Sequence, residues 1–172
     1  MDEISLEFLI TVGTAIGGIY VFFRGISEYR ANTRIKRAEF LDKLISEFLN
    51  PEIDIARGLL DDYVYVSKDN RDKSPTEQKE LSKPLSTFLR DHRIEPIGTV
   101  DEIAVRRSFD KLLDFFTRLS YYLRQELISS AELSYFKYYI RKVQDKSEVT
   151  SYIRAYYFWD DFAILFKAID PK

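Results

Sequence analysis

Residues 8–23, FLITVGTAIGGIYVFF, are sixteen consecutive uncharged and almost wholly apolar residues in a 172-residue chain of which 31% is Asp, Glu, Lys or Arg. Together with residues 4–7 they make roughly 20 helical residues, about the 30 Å needed to cross the hydrocarbon core of a bilayer. No second stretch of this kind follows. The run therefore predicts a single-pass transmembrane helix, residues 1–25, that continues into a helical domain, residues 26–172. A cleaved secretory leader is the competing expectation, and it requires a basic leading region and a small-residue cleavage site. Here Asp2, Glu3 and Glu7 lead, the first basic residue is Arg24, and Phe23-Arg24-Gly25-Ile26 is no A-x-A-like site.

Charge sets the expected orientation. Residues 24–43 carry six basic groups, Arg24, Arg30, Arg34, Lys36, Arg37 and Lys43, and the head before the run carries none. The positive-inside rule then puts the helical domain in the cytoplasm and the N-terminus outside. Arg30, Arg34 and Arg37 are spaced i, i+4, i+7 and share a helix face. With Arg24 they are the candidate lipid head-group contacts, at about 1 kcal/mol per charge near an anionic surface. The alternative is an ordinary solvated face balanced by Glu28, Glu39 and Asp42.

The domain after the run is long enough to bury a core of its own. The chain has no cysteine, which removes disulfides, thiolate nucleophiles and cysteine-based zinc sites. A formal net charge of −2 offers no basic excess for nucleic acid. Thirteen Phe and twelve Tyr stand against six Gly and five Pro, and long breaker-poor stretches predict an all-α fold.

Nothing between Arg24 and Asn50 stops the first helix, so a continuous helix of about 45 residues, on the order of 65 Å, is expected. Phe40, Leu41, Leu44, Ile45 and Phe48 give it one apolar face, and Asn50-Pro51 ends it. A second helix is expected over 52–66, a polar loop over 67–74, and a third helix interrupted at Lys83-Pro84 and resuming to about 92. Ser74…Glu77, Thr99…Glu102 and Ser129…Glu132 each have the spacing of a capping box. The second opens a helix to about 125 whose inner side is read as Ile103, Val105, Phe109, Leu112, Leu113, Phe116, Leu119 and Leu123. The third opens a helix to about 144, and a last one covers 148–169. The expected product is an up-and-down bundle of four or five helices.

Catalytic chemistry is sparse. His92 is the only histidine, which excludes two-histidine zinc motifs and leaves no obvious Ser-His-Asp triad. A solvated or capping role suits it better than a catalytic one. There is no phosphate-binding glycine loop, and neither a metal nor a cofactor is expected. Asp61-Asp62 and Asp160-Asp161 are neighbours about 100° apart on a helix and do not converge. Asp110 and Asp114 share a face but sit among Arg106, Arg107 and Lys111, as on an exposed helix surface. The aromatic cluster Tyr152, Tyr156, Tyr157, Phe158, Trp159, Phe162 and Phe166, with Tyr135, Phe136, Tyr138 and Tyr139, reads first as core. A subunit interface is second and a base-stacking platform third, so no direct nucleic-acid contact is expected.

Small and polar residues of the apolar run are grouped. Glu7, Thr11, Thr14, Ala15 and Gly18 fall on one helix face, and Gly13-x-x-x-Gly17 forms a second patch well round from it. Small-x-x-x-small patches permit close helix approach in membranes, and two patches suit a helix with a neighbour on each side. Glu7 on the first face prefers water to lipid. These seven residues are the candidate packing or pore-lining positions of a homo-oligomer. A plain monomeric tether explains the length of the run equally well.

The segment FLITVGTAIGGIYVFFRGI, the basic helix that follows it and the aromatic-rich helical domain together resemble the small membrane accessory protein of type VI-B CRISPR systems, which use an RNA-guided, RNA-targeting effector. The resemblance covers nearly the whole chain and rests on architecture. It implies an oligomeric membrane pore that strengthens antiviral defence by depolarising the inner membrane once that effector detects phage transcripts. It also implies a divergent member of the HEPN class, helical proteins that often cleave RNA through an arginine followed four to six residues later by a histidine. This chain departs from that motif, because Leu85, Ser86 and Thr87 stand where His92 would need the arginine. The expectation is a non-enzymatic protein, with a membrane-tethered ribonuclease or a simple interaction module as the alternatives.

Overall fold

The computed structural model describes residues 6–62, 65, 74, 77, 83–91, 93 and 98–170, with the side chains of 6–23 outside the description. Among the described residues every regular element is helical, as the composition predicts. The chain divides into two compact units, Met1–Leu44 and Ile45–Lys172.

Helix α1, Leu6–Phe48, is one unbroken helix of 43 residues that passes through Gly25 without interruption. Its last carbonyls accept from Leu49 N (2.9 Å, to Ile45 O) and Asn50 N (3.1 Å, to Glu47 O). Asn50 then turns extended, its side chain accepts from Glu52 N, and Pro51 opens a 3-10 turn, Pro51–Ile53. The stop expected at Asn50-Pro51 is therefore found, and its cause is proline geometry plus an asparagine cap. No helix among the described residues is long and apolar enough to cross a membrane, and the run 8–23 lies outside the residues so assessed.

In the second unit, helix α2, Asp54–Leu60, is shorter than the helix expected over 52–66. Asp62 adopts φ 64° just past its end, a left-handed conformation that aspartate tolerates better than most residues. Helix α3, Leu85–Phe88, begins directly after Pro84 and spans one turn, where the sequence suggested continuation to 92. Helix α4, Val100–Arg124, is the 25-residue axis of this unit. It packs against α2, α3 and the turn Pro51–Ile53. A 3-10 turn, Glu132–Tyr135, and helix α5, Lys137–Asp145, replace the single helix expected up to 144. The break falls at Phe136 (φ −106°, ψ −8°), whose ring enters the core.

The last expected helix is also two. Helix α6 is Ser147–Tyr156 and helix α7 is Trp159–Ile169, separated by Tyr157 (φ −125°, ψ 165°) and Phe158 (φ −77°, ψ 106°) in extended conformation. No glycine or proline marks this corner. Its compensation is long-range: the Tyr157 hydroxyl reaches the Asp110 carboxylate at 3.0 Å. Helix α7 packs on α4 and α5, and α5 packs on α6. Among the described residues of this unit, one long helix, α4, is flanked by short ones where an up-and-down bundle of longer helices is expected.

Two features place the core. The rings of Phe48, Phe115 and Phe136 converge at centroid distances of 5.2–5.5 Å, with Tyr139 5.3 Å from Phe48. Separately, Ser108 on α4 inserts where the turn Pro51–Ile53 passes into α2. Its hydroxyl donates to Glu52 O (2.7 Å) and accepts from Ala56 N (3.0 Å), standing between the two partners of an ordinary i, i+4 bond. Ala56 and Leu60 beside it are fully buried. On α4 itself, Val105, Phe109, Leu112, Leu113, Phe116 and Leu119 are buried as read from spacing and Leu123 is half-buried. Ile103 is the exception at 44% exposed, because Glu102 and Arg106 occupy the inward side of that first stretch.

Candidate functional site

The two predicted groups on α1 fare differently. Glu7, Thr11, Gly13, Thr14, Ala15, Gly17 and Gly18 lie where side chains are outside the described residues. Arg24, Arg30, Arg34 and Arg37 are all exposed on the continuous helix, and Arg30 and Arg34 flank a surface hollow with Ile26, Ser27 and Ala31. Arg24 pairs with Glu28 at 3.0 Å, an exposed i, i+4 contact, which by itself contributes only a few tenths of a kcal/mol.

The carboxylates of the second unit are taken up by tyrosines, which the sequence reading did not anticipate. Asp110 is half-buried and accepts from Tyr152 (2.8 Å) and Tyr157 (3.0 Å), so it is not the free exposed acid expected from its basic neighbours. Asp61 accepts from Tyr138 (2.7 Å) and Tyr139 (2.8 Å). Asp91 accepts from Tyr156 (2.6 Å), and Asp101 from Tyr65 (3.2 Å). Each link spans 36 or more residues in sequence, so no local spacing signals it. Burial and the bond to Asp61 push the Tyr139 hydroxyl up to about 12. Burial first, then Asp110, raises Tyr152 and Tyr157 as well.

Other acids are paired with bases. Asp161 is buried and accepts from Arg124 at 2.7 Å. Asp62 meets Lys142 and Lys146, and its pKa is lowered chiefly by the Lys146 hydrogen bond. Asp114 stays exposed in a hollow with Glu47, Glu52, Lys111 and Arg118. There Lys111 pairs with Glu52 at 3.5 Å and Arg118 with Glu47. Among the described residues no cluster of three or more His, Asp or Glu is arranged to hold a metal.

The N-terminal end of α4 builds a buried polar centre. Thr99 caps the helix by accepting from Glu102 N at 3.2 Å. The Glu102 carboxylate, instead of closing the capping box on Thr99 N, accepts from Gly98 N (3.1 Å) and from Arg90 through two bonds of 3.0 Å. Arg106 Nε stands 3.5 Å away, and its guanidinium also donates to Arg90 O. Burial pushes the Glu102 carboxyl up, and the Arg90 hydrogen bonds, the Gly98 amide and the two guanidinium charges outweigh it, leaving the pKa lowered.

Beside this centre lies a cleft of about 440 Å³. One wall is Ser86, Leu89, Arg90 and Asp91, and the other is the face of α6 made by Ser147, Glu148, Ser151, Tyr152, Ala155 and Tyr156. Arg93 clamps Asp91 with a 2.7 Å contact, and its hydrogen bonds followed by that of Tyr156 hold the Asp91 carboxyl well below the usual range. The cleft includes Ser86, one of the positions where the ribonuclease motif would need arginine. His92 lies outside the described residues.

Of the aromatic cluster, Phe136, Tyr152, Phe162 and Phe166 are buried, Tyr156, Tyr157 and Trp159 are half-buried, and Tyr135, Tyr138 and Phe158 are exposed. The core reading holds for the first group. Comparison of the chain with models of known protein families, with curated proteins and with solved structures finds no match.

Proposed function

We propose that this chain is a non-enzymatic, oligomeric membrane protein of the bacterial inner membrane that permeabilises or perturbs the bilayer in antiviral defence, working with an RNA-guided CRISPR effector. The observation that carries the reading is the union of two features on one helix. The apolar run 8–23 and the exposed basic stripe Arg24, Arg30, Arg34 and Arg37 follow one another along α1 with no break between them. A helix of that order offers hydrocarbon-compatible surface and then charges at head-group depth. The small-residue patches of the run favour association of like helices, and the resemblance to the type VI-B accessory protein supplies the defence role. The tyrosine and arginine partners of the acids in the second unit favour a structural over a catalytic use of those groups.

Membrane-potential dye uptake in cells producing the full chain, or the chain without residues 1–25, tests this reading. Depolarisation by the full chain alone, with recovery in the membrane fraction as an oligomer, is the expected result. A full chain that fractionates without detergent as a freely soluble monomer overturns it.

A further inference from the structure

We propose that the cleft between α3 and α6 binds a compact organic cation, a primary amine, amidine or guanidinium carried on a short apolar body. This inference is independent of the membrane reading.

The argument begins with charge. Three ionic groups line the cleft, Arg90, Asp91 and Glu148. Arg90 is held by both oxygens of Glu102, and Asp91 is neutralised by Arg93. Glu148, half-buried in the first turn of α6, is different. Its one side-chain hydrogen bond among the described residues is from the Ser147 hydroxyl at 3.2 Å. The cleft therefore carries one carboxylate that no described base neutralises, and a partly enclosed carboxylate favours a cation over an anion or a neutral guest.

The walls agree with that sign. Tyr152 and Tyr156 line the cleft with ring centroids 4.9 Å apart. Each already carries a guanidinium over one face, Arg106 at 5.7 Å and Arg93 at 5.2 Å. Neither arginine lines the cleft, and of the two rings Tyr152 is almost wholly buried while Tyr156 is half-buried, so Tyr156 gives the cleft its main aromatic wall. Leu89 and Ala155 supply apolar wall, and the hydroxyls of Ser86 and Ser151 supply acceptors for the remaining N–H groups. A volume of about 440 Å³ falls within the usual range for small-molecule sites.

Calorimetric titration of the full chain with benzamidine and with agmatine tests the site, with benzamide and benzoate as neutral and anionic controls. Saturable binding of one cation per chain, and none of either control, is expected. Glu148→Gln should weaken it on the order of ten- to a hundredfold, the loss of a charge-assisted hydrogen bond. Ala155→Trp, which fills the cleft, should abolish it, with circular dichroism confirming that the variant is folded. Absence of saturable binding of both cations at millimolar concentration, equal binding of benzamide, or unchanged affinity in Glu148→Gln overturns the proposal.

Discussion

The two halves of α4 share an apolar inner face and differ in the polar groups that they bury beside it. Its C-terminal half contributes Phe115, Phe116 and Leu119 to an apolar cluster closed by Phe48 and Phe136. Its N-terminal half buries Glu102, Arg106 and Ser108, and holds Asp110 under two tyrosine hydroxyls. Apolar packing rewards volume and forgives direction, whereas a buried charge or hydroxyl must be met by a partner at a set distance. The C-terminal half thus stabilises by packing alone, and the N-terminal half adds polar partners that fix which neighbour sits where.

Substitutions in each half sharpen that contrast, and chemical denaturation of the full chain, followed by circular dichroism, measures them. Phe115→Ala should have the largest effect, about 3–5 kcal/mol, from lost transfer energy and an unfilled cavity. Glu102→Ala should follow at about 3 kcal/mol, because it leaves Arg106 buried beside Arg90 without their shared carboxylate. A smaller loss there than at Ser108 would break the comparison. Ser108→Ala should cost about 1–2 kcal/mol, moderated because Glu52 O and Ala56 N are free to bond each other once the hydroxyl is gone.

Titration supplies the finest discrimination. Glu102 has a lowered folded-state pKa, so the stability it contributes is complete above its ordinary value of 4.5 and is lost as pH falls below it. Glu102→Gln should flatten that acid limb. Tyr139, Tyr152 and Tyr157 have raised values, so their contribution is complete below pH 10.0 and declines as pH rises above it. Tyrosinate absorbance should therefore rise in two steps, with Tyr157→Phe diminishing the later one and costing about 1 kcal/mol at neutral pH.

Much of this was legible in advance, and the reasons differ by residue. The extent of α4 follows from the Thr99 cap and the spacing of its apolar residues, and the Ser74–Glu77 and Ser129–Glu132 contacts appear as their spacing predicts. Those are local rules with local partners. The corner at Tyr157–Phe158 carries no breaker residue and exists because Tyr157 is drawn to Asp110, 47 residues away. Ile103, inward by the spacing of the apolar residues, yields that side to Glu102 and Arg106, whose partners come from the segment around Arg90. The cleft likewise depends on the approach of α6 to the α3 segment, which no spacing within either reveals.

The tyrosine–aspartate links have one more consequence. A phenol reaching a carboxylate is a dipole facing a charge, not two opposite charges, so dissolved ions attenuate it much less than they attenuate an exposed ion pair. A fold fastened by six such clasps should keep its shape across a wide range of ionic strength, including the counterion-rich layer that collects against an anionic lipid surface.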